Sequence, residues 1–371
     1  MKGEIIIIYL DHASTTPICN AAKNVMMTYI NDFGNPSSQH ELGRQARVLV
    51  EDARERIAKC INAEPNEIYF TSGGSEANTW ALLRRSFIRS SIEHHSAFSF
   101  FSTQVPVEQN GFVDPNAIEI ILRRYKDTPR VSLVSCIAIN NEIGIKNNIG
   151  GIAKLAHKYN KLFHTDAVQA IGHIPIDVKC IDCDTLSASG HKFGSPKGVG
   201  FLYVKNGTRI DPLIQGGKQE SGLRGGTENV LGIISMAAAL EDAVEHMEER
   251  NKHIKYLRDK LLNKLLLIPG SNLNGSLADR VPSNINIRFD GISGSRLVAM
   301  CDLLGVCISA GSACNEGNPQ PSHVLKAIGL SDEEALSSVR ITIGHENTEE
   351  EIDISANVIT NLVERTRSDE H

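Results

Sequence analysis

The sequence lacks the features that mark several large classes of protein. In its 371 residues no apolar run approaches the ~18 residues that a membrane-spanning helix needs. The formal net charge of −6 argues against a dedicated nucleic-acid binder, which would normally be basic. The eight cysteines are scattered, so they do not form the dense disulfide framework of a small secreted domain. These absences predict a reduced, soluble, cytoplasmic protein that contacts neither a membrane nor a nucleic acid.

The N-terminal stretch "EIIIIYLDHASTTP" contains a short apolar run that could be mistaken for a signal peptide. Asp11 and His12 follow this run at once, and no cleavage site of small residues is present. The stretch therefore predicts a buried strand that ends at Leu10. The sequence also has no internal repeat and no low-complexity linker, which favours domains that are packed firmly together.

Helical and strand patterns alternate over most of the chain, which predicts an α/β fold with a mainly parallel sheet and helices on both faces. After about residue 245 the pattern changes to one long charged helix, "AVEHMEERNKHIKYLRDKLLNKLLLI", followed by the strands "NINIRFD", "VCISAG" and "VRITIG". Thr348 and Glu351 have the spacing of a capping box at the start of a final helix. We therefore predict a large domain over residues 16–245 and a smaller α+β domain over residues 1–15 and 246–371.

The stretch "TSGGSEAN" lies between a predicted strand and a predicted helix. Glycines in such a turn let the backbone approach an anion, and the amides at the start of a helix stabilise a phosphate. Any tight strand-to-helix turn looks similar, so this signal is weak when taken alone. The stretch matches neither the phosphate loop of nucleoside triphosphatases nor the dinucleotide fingerprint.

Two further stretches carry candidate catalytic groups. In "HTDAVQA", Asp166 ends a predicted strand, where ligands bind in open α/β sheets, although an aspartate there can also simply cap a helix. In "SASGHKFGSPKGVG", a desolvated lysine among small residues loses its proton more easily and can attack a carbonyl. The alternative for this second stretch is a glycine-rich surface turn, and composition cannot choose between Lys192 and Lys197.

The order of these features indicates one cofactor. Pyridoxal phosphate needs an anion site, a partner for its ring, an acid at its pyridine nitrogen and a lysine that binds it covalently. The chain offers, in this order, the glycine turn, His94, an Asn-Asn-Glu turn, Asp166 and the lysine segment.

The sequence resembles the cysteine desulfurases, within the class V aminotransferase-like pyridoxal-phosphate enzymes. The motifs that carry the resemblance span nearly the whole chain in the family's order: "FGNPSS", "TSGGSEAN", "EHH", "NNEIG", "TDAVQAIGHIPID", "GHKFGSPKGVG", "RGGTEN" and "SAGSAC". The resemblance implies an aminotransferase-like fold of type I with a seven-stranded sheet. It also implies a homodimer that converts L-cysteine to L-alanine and passes the sulfur, as an enzyme persulfide, to an acceptor protein for iron–sulfur cluster assembly or tRNA thiolation.

The resemblance also implies a role for particular residues. Lys192, which follows His191, would bind the cofactor and move the substrate Cα proton, and Asp166 would keep the pyridine nitrogen protonated. His94 would stack on the ring and could shuttle a proton. The remaining implied residues fall into three groups: a phosphate site (Gly74, Ser75, Ser189, His191 and, from the other subunit, Thr227), ring contacts (Gln169 and Asn141) and a site for the substrate carboxylate (Arg340, Asn35 and Asn141).

Cys314, in "SAGSAC", is the residue that would receive the substrate's sulfur in this family. The small residues around it supply little packing, so we expect a mobile segment that carries the thiol between the substrate and an acceptor. Pro319 and Pro321 fit the longer loop of the group that serves iron–sulfur cluster assembly. Without the other motifs, a surface thiol with no function would be the better interpretation.

Some alternatives stay open at this level. A related lyase that acts on selenocysteine or on another β-substituted amino acid would share these motifs, and so would a non-enzymatic scaffold that keeps the fold. The pair in "CIDC" has the spacing of metal ligands, but a closed zinc site needs four ligands and no second pair exists, so we predict no metal. Between Glu76 and His94 the chain is shorter than is usual in the family, which predicts that an outer helix and the strand before His94 are trimmed.

Overall fold

The computed structural model describes residues 7–98, 101–126, 128, 130–310 and 320–369. The strands in these residues are β1 Ile8–Tyr9, β2 Ile68–Thr71, β3 Phe87–Ser90, β4 Ser102–Val105, β5 Leu133–Ser135, β6 Leu162–Asp166, β7 Thr185–Ser189, β8 Gly200–Val204, β9 Ser271–Leu273, β10 Asn284–Phe289, β11 Val306–Cys307, β12 Ser309–Ala310 and β13 Ser338–Thr342. The helices are α1 Asn20–Tyr29, α2 Glu41–Cys60, α3 Gly74–Leu82, α4 Pro115–Arg124, α5 Ile149–Lys158, α6 Val178–Ile181, α7 Val230–Glu245, α8 Met247–Leu265, α9 Gly294–Leu303, α10 His323–Ala327, α11 Asp332–Leu336 and α12 Glu349–Asp369.

A seven-stranded sheet in the order β2-β8-β7-β6-β5-β3-β4 forms the centre of the larger part of the molecule. Its neighbouring pairs are parallel except at β8, which runs antiparallel to both β7 and β2. Strands β5, β6, β7 and β8 are almost wholly buried, as expected where helices cover both faces. The predicted fold class, with its mainly parallel seven-stranded sheet, is confirmed.

A four-stranded antiparallel sheet in the order β12-β13-β10-β9 forms the smaller α+β part, and β1 pairs with β11 beside it. Ile8 and Leu10 are buried in a second apolar cluster together with side chains of α8, β10 and α12. The N-terminal segment therefore packs with the C-terminal part of the chain. The domain boundaries stay a prediction, and Val324 and Leu325 of α10 pack in the larger cluster instead.

The prediction of one long charged helix over residues 243–268 is wrong in one respect. Residues 243–245 end α7, and α8 begins only at Met247, because the chain turns at His246 (φ −100°, ψ 10°). The turn lets two consecutive helices bury their apolar sides in different places. Leu240 of α7 lies in the larger cluster, whereas Leu257 of α8 lies in the smaller one.

Several apolar runs of the sequence form strands that are shorter than the runs themselves. The run "VSLVSCIAI" forms a regular strand only at β5, because the carboxylate of Glu93 accepts the backbone N–H of Ile137 (2.8 Å). The segment "VCISAG" divides into β11 and β12, which belong to different sheets.

The strand before His94 is present as β3, inside the seven-stranded sheet, and residues 83–86 link it to α3 without a helix.

Two helical features of the sequence are present in the structure. The face of α2 formed by Ala46, Val50, Ala53 and Ile57 is buried. The capping box is present, with Glu351 N donating to Thr348 Oγ1 and Thr348 N donating to Glu351 Oε2. None of the helices in the described ranges combines the length and the apolar character needed to cross a bilayer.

Candidate active site

A cavity of about 530 Å³ opens at the carboxyl ends of the parallel strands β2, β6 and β7. This edge is where open α/β sheets bind ligands, and the volume suits a small organic molecule. Most of the sequence-predicted site residues line it: Gly74, Ser75, His94, Asn141, Asp166, Gln169, Ser189, His191, Lys192 and Arg340. Residues up to 266 positions apart in sequence, from Gly74 to Arg340, therefore meet at one site.

The turn between β2 and α3 forms one end of the cavity. Gly73 has φ +152°, and a Cβ on Gly74 would lie 2.5 Å from Val168 Cγ2, so both positions need glycine. A Cβ on Gly73 would enter the space in front of Ser189, 3.5 Å from its Oγ. No side chain caps the start of α3, so its first amides face a cradle with room for an anion.

Asp166 lies at the end of β6 and is 3% exposed. Its carboxylate accepts hydrogen bonds from the amide of Asn78 (2.6 Å) and from the backbone N–H of Val168 (3.0 Å), and neither donor is a cation. Burial raises the pKa of Asp166, because a low-dielectric site disfavours the charged form. A protonated ring nitrogen placed against this carboxylate would relieve that cost.

Asn78 was not predicted as a site residue, yet it holds the acid in position. Its amide also donates to Ser96 Oγ (2.9 Å), and its carbonyl oxygen bonds the ring of His164 (3.1 Å). A buried asparagine inside a helix, one turn after the glycine turn, is the signal that could have identified it, since a buried polar group needs partners. It connects α3 to the end of β6.

Lys192 follows β7 and points across the cavity to the N-terminal segment. Its Nζ donates to the backbone carbonyls of Ala13 and Ser14, at 2.7 Å each. Burial, aided by the nearby Arg340 guanidinium, lowers the pKa of Lys192 to about 8. Lys197 also lines the cavity but is exposed. Of the two lysines, Lys192 therefore has the environment that favours a neutral, nucleophilic amine.

His94 and Gln169 border the same space. His94 is exposed towards the cavity, and its Nδ1 lies 2.7 Å from Ser96 Oγ. Gln169 Nε2 donates to the carbonyl of Ala13 (2.9 Å), which Lys192 also contacts. Burial lowers the pKa of His191, beside the turn, to about 4, so this ring is neutral at physiological pH and can hydrogen-bond an anion.

Arg340 lies on β13 and is 8% exposed. Its guanidinium donates to Asp11 Oδ1 (2.7 Å), to Ser14 Oγ (2.6 Å) and to the carbonyl of Asn141 (3.1 Å). Among the described residues, its buried Nε has no hydrogen-bond partner. A guanidinium with a free donor in a cavity is suited to a carboxylate.

Three predicted site residues are not part of this lining. Asn35 and Thr227 are both exposed, and Asn35 Oδ1 accepts from the backbone N–H of Ser37 instead (2.9 Å). Cys314 lies outside the described residues. The chain leaves the described part after β12, where Ser309 pairs with Arg340, and is described again before Ser322, whose Oγ donates to Glu142 Oε2 (2.5 Å).

The other cysteines differ in their surroundings. Cys136, Cys183 and Cys301 are buried, Cys19, Cys60 and Cys307 are half-buried, and Cys180 is exposed. Burial raises the pKa of Cys60 to about 11 and that of Cys301 to about 12, so both stay protonated and unreactive. Within the described ranges, no group of three or more His, Cys, Asp or Glu side chains could hold a metal ion.

Comparison with known proteins identifies the family. The model of the family described as Aminotransferase class-V matches residues 8–354. The chain belongs to the class-V aminotransferase family. Members of this family depend on pyridoxal phosphate, which confirms the cofactor that the sequence predicts.

Several curated class-V relatives are similar over almost their full length. The chain is 41% identical to the cysteine desulfurase IscS of Methanosarcina thermophila, covering 97% of this chain and 93% of that one. It is 42% identical to the cysteine desulfurase IscS of Dictyoglomus turgidum, covering 99% and 96%. The resemblance to the cysteine desulfurases is therefore confirmed.

Solved structures agree with the family assignment. A NifS-like protein from Rickettsia africae superposes with a TM-score of 0.90 at 33% identity, covering 96% of this chain and 99% of that one. SspA in complex with cysteine superposes with a TM-score of 0.78 at 31% identity, covering 92% and 99%.

The cavity of this class-V aminotransferase fits the family's cofactor. The uncapped start of α3 and the glycine turn offer a cradle for the phosphate, and Asp166 is a buried acid without a cationic partner among its hydrogen bonds. Lys192 supplies an amine whose lowered pKa suits covalent attachment. When bound, pyridoxal phosphate withdraws electrons from the carbon atom attached to the substrate's amino group.

The lowered pKa of Lys192 predicts how attachment depends on pH. Only the neutral amine attacks the cofactor's aldehyde, so the rate at which the apoprotein binds pyridoxal phosphate covalently should rise with pH and reach half its plateau near pH 8. Absorbance stopped-flow measures this rate, and Lys192→Ala should show no covalent phase. A midpoint near 10.5, the ordinary value for lysine, would show that the amine is not desolvated.

Proposed function

We propose that this chain is a pyridoxal-phosphate-dependent cysteine desulfurase that converts L-cysteine to L-alanine and retains the sulfur as a persulfide on Cys314. The observation that carries the proposal is the meeting of half-buried Lys192 with buried Asp166 and Arg340 around one cavity. An amine, an acid and a guanidinium in that arrangement suit an amino-acid substrate whose Cα proton is removed.

The residues around the cavity have different roles in the proposed reaction. Arg340 binds the substrate carboxylate, with Asn141 beside it, and Asp166 holds a proton at the ring nitrogen. Lys192 takes the proton from the substrate Cα, and its lowered pKa increases the share of neutral amine at physiological pH compared with an ordinary lysine. His94, which lines the cavity, would lie against the cofactor ring and could deliver a proton to the carbon fragment of the substrate.

Cys314 performs the transfer of sulfur. As a thiolate it attacks the substrate Sγ, so that an S–S bond forms while the substrate's C–S bond breaks. The electron pair of the C–S bond stays with the carbon fragment, which is released as alanine after protonation. The "SAGSAC" motif supports this role, as does the position of its first two residues in β12, where Ser309 pairs with Arg340.

The proposed desulfurase acts as a homodimer and passes its sulfur to an acceptor protein for iron–sulfur cluster assembly or tRNA thiolation. Thr227 is exposed outside its own cavity, which suits a residue that completes a partner's site. The exposed apolar side chains Met27 and Phe33, at 73% and 84%, support an interface nearby. Light scattering should show a dimer that Phe33→Asp weakens, and a wild-type holoprotein that is monomeric would contradict this part of the proposal.

The role of Cys314 can be separated from the earlier steps by one substitution. Cys314→Ala should still bind pyridoxal phosphate and still exchange the substrate's Cα proton with solvent, because Lys192 is intact. It should form no alanine and carry no persulfide, because the nucleophile for sulfur is absent. The measurements are proton exchange by NMR, an alanine assay, and mass spectrometry of the protein after exposure to cysteine.

Cys180→Ala is the matched control, since Cys180 is the exposed cysteine among the described residues. This variant should keep full alanine production and the persulfide on Cys314. Unchanged alanine production by Cys314→Ala, or a persulfide at wild-type yield on another cysteine, would refute the proposed role. If the wild type and Cys314→Ala both turned over selenocysteine faster than cysteine, the related lyase would be favoured.

A further inference from the structure

The segment between β8 and α7 contains a turn with an unusual backbone. We call residues 214–226 the brace. Three consecutive residues of the brace have positive φ: Glu220 (44°), Ser221 (58°) and Gly222 (80°). The left-handed region is unfavourable for Glu and Ser, and such strain persists only where the surroundings enforce it. Two ion pairs hold the brace in place.

The first pair joins the brace to α2 and β2. The carboxylate of Glu220 is buried and accepts two hydrogen bonds from Arg54, at 2.7 and 2.9 Å. The same carboxylate accepts the backbone N–H of Phe70 (2.8 Å), and the guanidinium of Arg54 stacks on the Phe70 ring at 4.6 Å. The brace is therefore attached to β2 directly before the glycine turn.

The second pair joins the brace to the start of α3. Arg224 Nε donates to Glu76 Oε1 (2.9 Å), and its Nη2 donates to Glu76 Oε2 (3.2 Å). Glu76 Oε2 also accepts the backbone N–H of Ser72 (2.8 Å). Burial raises the pKa of Glu76, but the bonds from Arg224 and Ser72 outweigh burial and lower it, so the carboxylate is ionised. The brace thus contacts the elements on both sides of the turn.

The negative charge of Glu76 would oppose anion binding at the turn, and the positive charge of Arg224 offsets it. Glu76 is one of the residues that line the cavity, directly after Gly74 and Ser75, and an uncompensated negative charge there would repel a phosphate. The two-fold hydrogen bond from Arg224 neutralises this charge and turns the carboxylate towards the Ser72 amide. A guanidinium suits this role because its planar fork matches both carboxylate oxygens.

We propose that Arg224 is a positioning residue for cofactor binding: it neutralises and orients Glu76, so that the turn at residues 72–75 accepts the phosphate. This inference rests on the proposed function, which places the cofactor's phosphate at that turn. Arg224 acts through Glu76 and touches no reacting atom, and the pair of Arg54 and Glu220 holds the strained brace that carries it.

The test compares two ligands that differ only in the phosphate. Pyridoxal phosphate and unphosphorylated pyridoxal are titrated into apoprotein, and their dissociation constants are measured by absorbance. Arg224→Gln should raise the dissociation constant of pyridoxal phosphate about tenfold and leave that of pyridoxal within about twofold. A general loss of folding would weaken the binding of both ligands equally.

Arg56→Gln is the matched control. Arg56 makes a two-fold pair with Glu241 that joins α2 to α7 and does not contact the turn, so this variant should bind both ligands as the wild type does. In a Glu76→Gln background, Arg224→Gln should change the binding of pyridoxal phosphate by no more than about twofold, because the charge to be neutralised is gone. This background also tests the proposal if the single variant folds poorly.

The outcomes separate the two claims. Wild-type affinity of Arg224→Gln for pyridoxal phosphate, an equal loss for both ligands, or the same loss in the Glu76→Gln background would overturn the role of Arg224 while the proposed function stands. A wild-type protein that does not bind pyridoxal phosphate would overturn the proposed function, and this inference with it.

Discussion

The site depends on the burial of one carboxylate, that of Asp166 at the end of β6. This carboxylate accepts hydrogen bonds from the side-chain amide of Asn78 and the backbone amide of Val168. An ionised acid at 3% exposure is costly without a cation, and the neutral donors around it compensate only in part. A protonated ring nitrogen of the cofactor, placed against this carboxylate, would remove that cost. The same donors orient the acid, because Asn78 belongs to the helix that begins at the glycine turn. One short helix, α3, would thus fix the proposed sites for the cofactor's phosphate and ring relative to one another.

The N-terminal segment closes the other side of the cavity. Its backbone carbonyls at Ala13 and Ser14 hold the amine of Lys192, while Asp11 and the hydroxyl of Ser14 hold the guanidinium of Arg340. This segment packs with the smaller apolar cluster through Ile8 and Leu10. The larger sheet therefore supplies the acid and the lysine, and the smaller part supplies the arginine. In the proposed function, the substrate's carboxylate and its reacting carbon would thus be positioned by different parts of the fold.

Much of this arrangement could be predicted from the sequence, because periodicity and motif order are local properties. The alternation of strands and helices indicated the parallel sheet, and the motifs indicated which acid, lysine and arginine to examine. Partners that act through the backbone left no such signal: nothing in "HASTT" shows that the carbonyls of Ala13 and Ser14 contact a lysine 178 or more positions away. Asn78 and Glu76 stood inside a recognised motif, yet their partners Asp166 and Arg224 are set by tertiary contacts. The turn at His246 was missed because the charged helical pattern continues through it, while the packing partners of the two helices change.

The most direct test of the account is the identity of the lysine that binds the cofactor. The purified protein loaded with pyridoxal phosphate is reduced with borohydride, digested and analysed by mass spectrometry. The half-buried amine beside Asp166 and Arg340 predicts a phosphopyridoxyl group on Lys192 alone. A label on the exposed Lys197, or on no lysine of this segment, would contradict the account.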